Sequence, residues 1–259
     1  MREHVEEIRD AGYSVVPDVL TAGEVADLAA ALDTLIERQA EEFGGVHRID
    51  AIGDALTVRC PVAYDDRFLR LVTDDRVLSI CRALMGDYVV LMQQNGIVNP
   101  SDAPHTQRQF HRDLPYQQFV SSRPLAVSVL CCLDPFTPET GATTVVPRSH
   151  RTEAAPMIDD AAGQEVPVAA PSGSCIVFDS MLVHRAGVNR SGRVRRAVNQ
   201  VFTVPIIAQQ ISLPSMLGGR WSDQPALARL LGYESAPASS VVDWRERRLR
   251  RQQSSPATG

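Results

Sequence analysis

The chain has 259 residues, 44% of them hydrophobic, and a formal net charge of -5 at pH 7. That length suits one large domain with a sizeable core, and the negative charge argues against a general nucleic-acid binder. No run of about 18 apolar residues predicts a membrane span, and the N-terminal residues lack the apolar stretch of a signal peptide.

The cysteines and the basic residues narrow the class of protein further. None of the five cysteines shows C-x-x-C spacing, which favours buried apolar side chains in a reducing compartment, so we expect a cytoplasmic protein. The sequence contains no lysine, and its 26 basic residues are therefore all arginines. Lysine Schiff-base chemistry and a lysine-bearing phosphate loop are both excluded.

Two helices are predicted in the first third of the chain. Thr21 and Glu24 have the spacing of a capping box, and apolar residues behind them recur at helical spacing, which predicts a helix over residues 22–41. A second helix is predicted over residues 75–85, with Asp74 as its N-cap and Gly86 as its stop.

After Gly86 the pattern changes to short segments rich in β-branched residues, separated by turn signals. This pattern favours a mainly β fold, a sandwich or a barrel, and argues against a doubly wound parallel sheet. The predicted strands cover residues 88–98, 125–133, 143–146, 175–178 and 194–204. A short helix is predicted over 227–231, and an arginine-rich solvated helix from Trp244 leads into a disordered end.

The stretch His111-Arg112-Asp113-Leu114 matches the H-R-D-L motif of a kinase catalytic loop. A kinase also needs a strand lysine to hold nucleotide phosphates and an asparagine five residues after the aspartate. This chain has no lysine, and that second position is Gln118. The kinase interpretation is therefore rejected.

The same stretch is also a His-x-Asp pair. On a strand, residues two apart face one side, so His111 and Asp113 would point together toward a divalent metal, with Gln109 on the same face. A facial set needs one further ligand, normally a histidine from another strand. We expect His184, because it follows the apolar segment 174–178, whereas His47, His105 and His150 fall in loops or turns.

Three pieces of the sequence together resemble the phytanoyl-CoA dioxygenase family of iron(II)/2-oxoglutarate oxygenases. They are residues 109–113 (QFHRD), 139–150 (ETGATTVVPRSH) and 184–195, which begins HRAGVN. The resemblance implies a mainly β fold with flanking α-helices, a cupin-like double-stranded β-helix or jelly roll. It also implies iron(II) held by His111, Asp113 and His184, with 2-oxoglutarate and O2 as co-substrates.

The resemblance further implies an arginine eleven residues after the distal histidine, which binds the tail carboxylate of 2-oxoglutarate. That position is Arg195, although Arg193 and Arg196 lie beside it. Gln109 and Gln94 are further candidates for contact with the co-substrate. Many family members carry serine or threonine two residues after the distal histidine, where this chain has Ala186.

The resemblance implies oxidation, most often hydroxylation, of an unactivated C–H bond in a small metabolite. Related halogenases replace the carboxylate that is present here as Asp113. Leu114, Tyr116 and Gln117 would lie at the mouth and touch substrate. Two alternatives stay open: a jelly-roll isomerase or epimerase that uses zinc or manganese, and a catalytically silent binding module. The all-arginine basic set indicates a GC-rich genome, which suggests specialised bacterial metabolism.

We therefore expect one oxygenase domain over residues 1–259. Its predicted parts are a helical N-terminal flank (1–87), a jelly-roll core (88–205), a lid or ordinary packing segment (206–233) and a polar C-terminal tail (234–259). The expected partner is a small-molecule substrate, with neither nucleic acid nor membrane involved. The oligomeric state is not readable from the sequence.

Overall fold

The computed structural model describes residues 1–102, 106–154 and 163–254. Two antiparallel sheets face each other, and helices cover the outer face of the larger one. The strands are β1 (Tyr13–Val16), β2 (Thr57–Arg59), β3 (Val90–Asn99), β4 (Ala126–Cys132), β5 (Thr144–Val145), β6 (Val166–Pro167), β7 (Cys175–Asp179), β8 (His184–Arg185) and β9 (Arg195–Thr203).

The helices precede and follow the strand-rich middle of the chain. The α-helices are α1 (Arg2–Ala11), α2 (Ala22–Glu42), α3 (Val46–Asp50), α4 (Pro61–Tyr64), α5 (Leu69–Val72), α6 (Asp75–Met85), α7 (Leu213–Leu217), α8 (Pro225–Leu230) and α9 (Val241–Ser254). Short 3-10 turns cover Asp66–Phe68, Thr106–Arg108 and Ser149–Arg151.

The larger sheet has the strand order β1-β7-β4-β9-β3-β2, and the smaller sheet has the order β6-β5-β8. All the strand pairs are antiparallel. Neighbouring strands in space are mostly distant in sequence, as in a jelly roll, where strands alternate between two sheets. The predicted fold class is confirmed.

Two apolar clusters hold the layers together. The larger one fills the space between the helices and the outer face of the larger sheet, and it includes Leu28, Leu32 and Leu35 of α2. The smaller one lies between the two sheets and includes Leu130, Ile176 and Phe178. The apolar stripe of α2 is therefore a packing face, not a partner surface.

The two predicted helices are confirmed with their caps. In α2 the Thr21 side chain accepts from the Glu24 amide, and the Glu24 carboxylate accepts from the Thr21 amide. Helix α6 begins after Asp74, whose side chain accepts two backbone N–H groups. The expected N-terminal flank is not wholly helical, because β1 and β2 form the two edges of the larger sheet.

Two glycines allow the loops around the site to touch. Gly141 has φ +75°, which favours glycine, and a Cβ there would lie 2.6 Å from the Gly187 carbonyl oxygen. A Cβ on Gly187 would lie 2.5 Å from the Ala142 carbonyl oxygen. Asn189 fixes the same turn by donating to the carbonyls of Asn99 (2.8 Å) and Arg193 (2.7 Å).

The segment that could have been a lid is anchored to the body of the protein. Gln209 donates to the carbonyls of Leu91 (2.8 Å) and Leu231 (3.0 Å), and Leu213 and Leu217 are buried. These contacts favour the packing alternative for this segment. Among the described helices, none has the length and apolar content that a membrane crossing needs.

Candidate metal centre

Two histidines meet through their backbones. His111 and His184 form an antiparallel bridge, in which each amide donates to the other's carbonyl at 2.9 and 3.0 Å. Their ring centroids are 4.4 Å apart. We predicted that His111 lies on a strand, but it forms only this single bridge. The bridge gives His111 the predicted orientation, toward the inside of the jelly roll.

Hydrogen bonds fix which ring nitrogen faces the cavity. The Nδ1 of His111 lies 2.9 Å from the Gln109 carbonyl, and the Nδ1 of His184 lies 2.9 Å from the Leu182 carbonyl. A carbonyl can only accept, so each Nδ1 carries the proton and each Nε2 keeps a free lone pair. This is the arrangement of metal-binding histidines, whose second nitrogen donates to a carbonyl or carboxylate.

Asp113 completes the group and is itself held in place. Its amide donates to the Ser180 carbonyl (3.1 Å), and its Oδ2 accepts from the Ser128 hydroxyl (2.6 Å). The Ser128 and Ser180 hydroxyls are 2.7 Å apart. Oδ1 has no hydrogen-bond partner among the described residues and lies 3.7 Å from the His184 Nε2.

The three potential ligand atoms of His111, Asp113 and His184 all lie within 4.8 Å of one another. Two neutral imidazoles and one carboxylate on one face form the facial set that non-haem iron(II) oxygenases use. Burial lowers the pKa of His184, while the nearby Asp113 opposes that effect. The net direction favours the neutral imidazole that a metal requires.

Arg195 lies beside this group at the start of β9. Its side chain is 3% exposed, and its guanidinium carbon lies 4.2 Å from the centroid of the Phe136 ring. Burial lowers its pKa to about 10. Within the described part of the chain, its Nε is buried without a hydrogen-bond partner.

The buried guanidinium and the three metal-ligand candidates line the same narrow cavity, together with Thr143 and Ala186. An unpartnered buried cation is unfavourable unless an anion neutralises it. A planar guanidinium can bind a carboxylate through two parallel hydrogen bonds. The donor set therefore fits a metal with a carboxylate ligand reaching toward Arg195.

The two neighbouring arginines do not share this cavity. Arg193 is exposed. Arg196 points to the helix side, where it pairs with Asp33 at 2.7 Å and Asp134 at 3.3 Å. Alternation along β9 therefore separates Arg195 from Arg196, as predicted from strand geometry.

Gln94 lies on the wrong face of β3 for the predicted contact with a co-substrate. Its amide accepts from Val62 N (2.9 Å) and donates to Phe68 O (3.1 Å) and Gln200 Oε1 (3.0 Å). The prediction for Gln94 is therefore corrected: it joins helices to the sheet. Its odd-numbered neighbour Asn95 faces the cavity instead.

Gln109 is exposed at the mouth of the site and contributes its carbonyl to the orientation of His111. The narrow cavity is lined instead by Gln107, Thr143 and Asn199, which sequence reasoning missed. Thr143 lies within the ETGATT piece, and Asn199 lies four residues after Arg195. Both positions could have been found from strand alternation.

The three predicted substrate residues have different environments. Tyr116 is 94% exposed, and Leu114 packs against Met92, Ala126 and Val201. Gln117 is buried and donates to the Phe119 carbonyl (3.0 Å) at one wall of a cavity of about 560 Å³ beside His111. The residue of this segment that lines the cavity next to Asp113 is Pro115. The substrate contacts of Leu114, Tyr116 and Gln117 stay predictions.

The other histidines in the described part of the chain do not approach the candidate metal centre. His4 contacts the Ser14 hydroxyl (2.8 Å), His47 lies in α3, and His150 packs against the turn at Gly12. His105 lies outside the described residues. Across residues 1–102, 106–154 and 163–254, His111, Asp113 and His184 are the group whose geometry suits a metal ion.

The jelly roll and its inward-facing His-Asp-His set place the chain among non-haem metal proteins with a facial triad. The sequence profile of the phytanoyl-CoA dioxygenase (PhyH) family matches residues 8–197. The chain belongs to this family, which confirms the resemblance stated above.

Two relatives illustrate the range of the sequence similarity. The uncharacterised protein Rv1501 of Mycobacterium tuberculosis is 35% identical over 254 residues, which cover 93% of this chain and 91% of that protein. The iron/alpha-ketoglutarate-dependent dioxygenase penM of Penicillium thymicola is 27% identical over 198 residues, which cover 69% of this chain and 62% of that enzyme.

Solved structures support the fold. The alpha-ketoglutarate-dependent epimerase SnoN from nogalamycin biosynthesis superposes with a TM-score of 0.59 at 23% identity, covering 79% of this chain and 83% of that one. HygX from Streptomyces hygroscopicus, with nickel and 2-oxoglutarate bound, gives a TM-score of 0.60 at 17% identity, covering 83% and 90%.

Proposed function

We propose that this protein is an iron(II)/2-oxoglutarate-dependent oxygenase that oxidises a C–H bond of a small metabolite. The observation that carries the proposal is the shared cavity: a His-Asp-His set opens onto a buried guanidinium that has no partner for its Nε. A metal site alone would fit many enzymes, whereas the adjacent unneutralised cation calls for an anionic co-substrate.

The proposed iron ligands are the Nε2 atoms of His111 and His184 and the Oδ1 of Asp113. The carbonyls of Gln109 and Leu182 hold the two rings, and the Ser128 hydroxyl holds the second carboxylate oxygen. These three residues would hold iron(II), and the metal would then supply binding positions for co-substrate and dioxygen.

Arg195 is the proposed anchor for the far carboxylate of 2-oxoglutarate. Thr143 lines the same cavity and has a hydroxyl that can donate to that carboxylate. It would supply the hydrogen bond that Ala186 cannot give. The exclusion of water around Arg195, which is 3% exposed, strengthens such a charge-assisted contact.

When bound, iron(II), 2-oxoglutarate and dioxygen supply the oxidising power that breaks an unactivated C–H bond. Hydroxylation is the proposed outcome, and the retained Asp113 carboxylate favours it over halogenation. Stereochemical inversion at the same carbon is the second candidate, because the structurally similar SnoN is an alpha-ketoglutarate-dependent epimerase. A cytoplasmic role in specialised bacterial metabolism is also proposed.

The test is anaerobic addition of iron(II) with and without 2-oxoglutarate. Bidentate binding of the co-substrate should produce a weak visible absorption band, and oxygen should then yield succinate in the presence of substrate. Absence of the band, together with absence of succinate across a metabolite panel, would overturn the proposal. Oxygen-independent turnover with zinc or manganese would instead indicate a metal-dependent isomerase.

A pair of aspartate variants isolates the metal site. Asp113→Ala should abolish iron binding and the visible band while the circular dichroism spectrum stays unchanged. Asp87→Ala, an exposed aspartate outside the site, is the matched control and should behave like the wild type. Iron binding by Asp113→Ala at wild-type affinity would remove this carboxylate from the proposed ligands.

A further inference from the structure

A second cavity of about 370 Å³ opens beyond the metal centre and shares His111, Asp113 and Asn199 with it. It lies next to the Asp113 carboxylate, where the proposed function would require a substrate to present its reacting carbon. Its lining is dominated by carboxamides, namely Gln93, Asn95, Gln107, Gln109, Asn199 and Gln210. The apolar lining residues are Ile97, Phe110 and Pro115.

The floor of this cavity is a polar row that crosses three strands. Arg59 of β2 pairs with Asn95 of β3, and Asn95 pairs with Asn199 of β9. The next residue across the sheet is Leu130, which belongs to the apolar core between the sheets. Inward-facing amides beside such a core need hydrogen-bonding partners, because burying them unpaired is unfavourable.

The two arginines that line the cavity direct their terminal N–H groups to other residues. Arg59 makes a two-point ion pair with Asp54, with its Nε 2.9 Å from the carboxylate. The guanidinium of Arg112 points away, toward the carbonyls of Ser149, Thr152 and Glu153. Among the described lining residues, neither arginine therefore directs a free terminal N–H group into the cavity toward a substrate carboxylate or phosphate, although the Nε of Arg112 is buried without a partner.

Several amide groups retain unused hydrogen-bonding capacity. The Oδ1 of Asn199 is buried and has no partner within the described residues. The backbone amide of Gln210 donates to the Met92 carbonyl (3.1 Å), and this bond positions the Gln210 side chain at the cavity. The Gln210 amide uses one of its two polar atoms to contact the Asn95 amide (3.2 Å), which leaves the other available to a ligand. These groups offer both acceptors and donors on one surface.

We propose that this cavity binds an uncharged, multiply hydroxylated part of the substrate. Hydroxyl groups donate and accept, which matches the mixed capacity of Gln93, Asn199 and Gln210. An acyl chain would leave these amides unpaired, and an anionic group would find no terminal guanidinium N–H directed into the cavity. The inference deepens the proposed function, since it names the substrate class of that site, but the binding step itself needs no turnover.

The test compares three probes by saturation-transfer NMR with the metal-loaded protein and 2-oxoglutarate under anaerobic conditions. The probes are methyl β-glucopyranoside, its carboxylate counterpart methyl β-glucuronide, and hexanoyl-CoA. We expect binding of the neutral glycoside to exceed that of the glucuronide and of the acyl-CoA. Equal or preferred binding of either anionic probe, or no detectable binding of the glycoside, would overturn the inference.

Leucine substitutions locate the bound glycoside. Gln210→Leu and Gln93→Leu should each weaken glycoside binding about fivefold, the effect of one lost hydrogen bond. Gln118→Leu is the matched control, because Gln118 lines the neighbouring cavity of about 560 Å³. Loss of binding in Gln118→Leu alone would place the ligand there and refute the inference.

The visible band of the iron(II)/2-oxoglutarate complex separates the two proposals. If this band forms without any probe but the glycoside fails to bind, only the substrate class is wrong. If the band never forms while the glycoside still binds, the oxygenase assignment fails and the polar site stands.

Discussion

Replacing Arg195 with methionine removes the buried guanidinium while keeping a side chain of similar length. Burial lowers the pKa of Arg195 to about 10. An ordinary arginine has a pKa of about 12.5 or more. A tenfold change in an equilibrium constant corresponds to about 1.4 kcal/mol, so burial destabilises the charged form of Arg195 by roughly 3 kcal/mol relative to water. The cation–π contact of the guanidinium with Phe136, at 4.2 Å, stabilises the charged form by up to about 2 kcal/mol. Without co-substrate, Arg195→Met should therefore be about 1 kcal/mol more stable than the wild type.

Co-substrate should reverse that order. A ligand present at about 100 times its dissociation constant stabilises the folded state by roughly 2.7 kcal/mol. With a divalent metal and 2-oxoglutarate, the wild type should gain this amount and Arg195→Met should gain none. Equilibrium urea unfolding, with and without 2-oxoglutarate, measures both free energies.

The exposed Arg193 provides the matched control. Arg193→Met should change the free energy of unfolding by less than about 0.5 kcal/mol and should keep the full stabilisation by 2-oxoglutarate. The reasoning is refuted if Arg195→Met is destabilised without co-substrate and is still stabilised by it as much as the wild type is.

Three further predictions concern the support of the site. Ser128→Ala removes the hydroxyl that donates to Asp113 (2.6 Å) and should weaken metal affinity about 10- to 100-fold; unchanged affinity in an anaerobic cobalt(II) titration would contradict this. Gly187→Ala places a Cβ 2.5 Å from a backbone oxygen and should lower the free energy of unfolding by about 1–3 kcal/mol, whereas Gly23→Ala, with open space around it, should not. Burial raises the pKa of Asp179 to about 6. The ionised Asp179 carboxylate therefore destabilises the folded protein, and this destabilisation is absent below about pH 4 and complete above about pH 6. Asp179→Asn should raise stability at pH 7 by about 1–3 kcal/mol and remove that loss between pH 4 and 6, and an unaltered pH profile of urea midpoints would exclude the explanation.

Local signals in the sequence predicted the helices that carry strong caps. Helix α2 has a capping box and a long apolar stripe, and helix α6 has Asp74 before it and Gly86 after it. Helix α1 was missed, because Val5 and Ile8 are its only buried residues, and two apolar positions are a weaker signal than the five buried positions of α2. Its stop, Gly12 at φ 98°, was the available signal.

Strand alternation explains both the successes and the errors at the site. It separated Arg195 from Arg196 correctly, since the two lie on opposite faces of β9. On β3 the same alternation places Gln94 on the helix side and Asn95 on the cavity side, opposite to the prediction for Gln94. The partners of each side chain depend on which strands pair across the sheet, and that long-range register is not encoded in any short motif.

The reciprocal backbone bonds between His111 and His184 have a consequence for biogenesis. The two halves of the proposed iron site come from distant parts of the polypeptide and become neighbours only when the jelly roll closes. Such non-local pairing occurs late, after loop-closure entropy has been overcome. A chain still emerging from the ribosome would therefore present only the His111 and Asp113 ligands to iron. The proposed three-ligand site would bind the metal only after the jelly roll has folded.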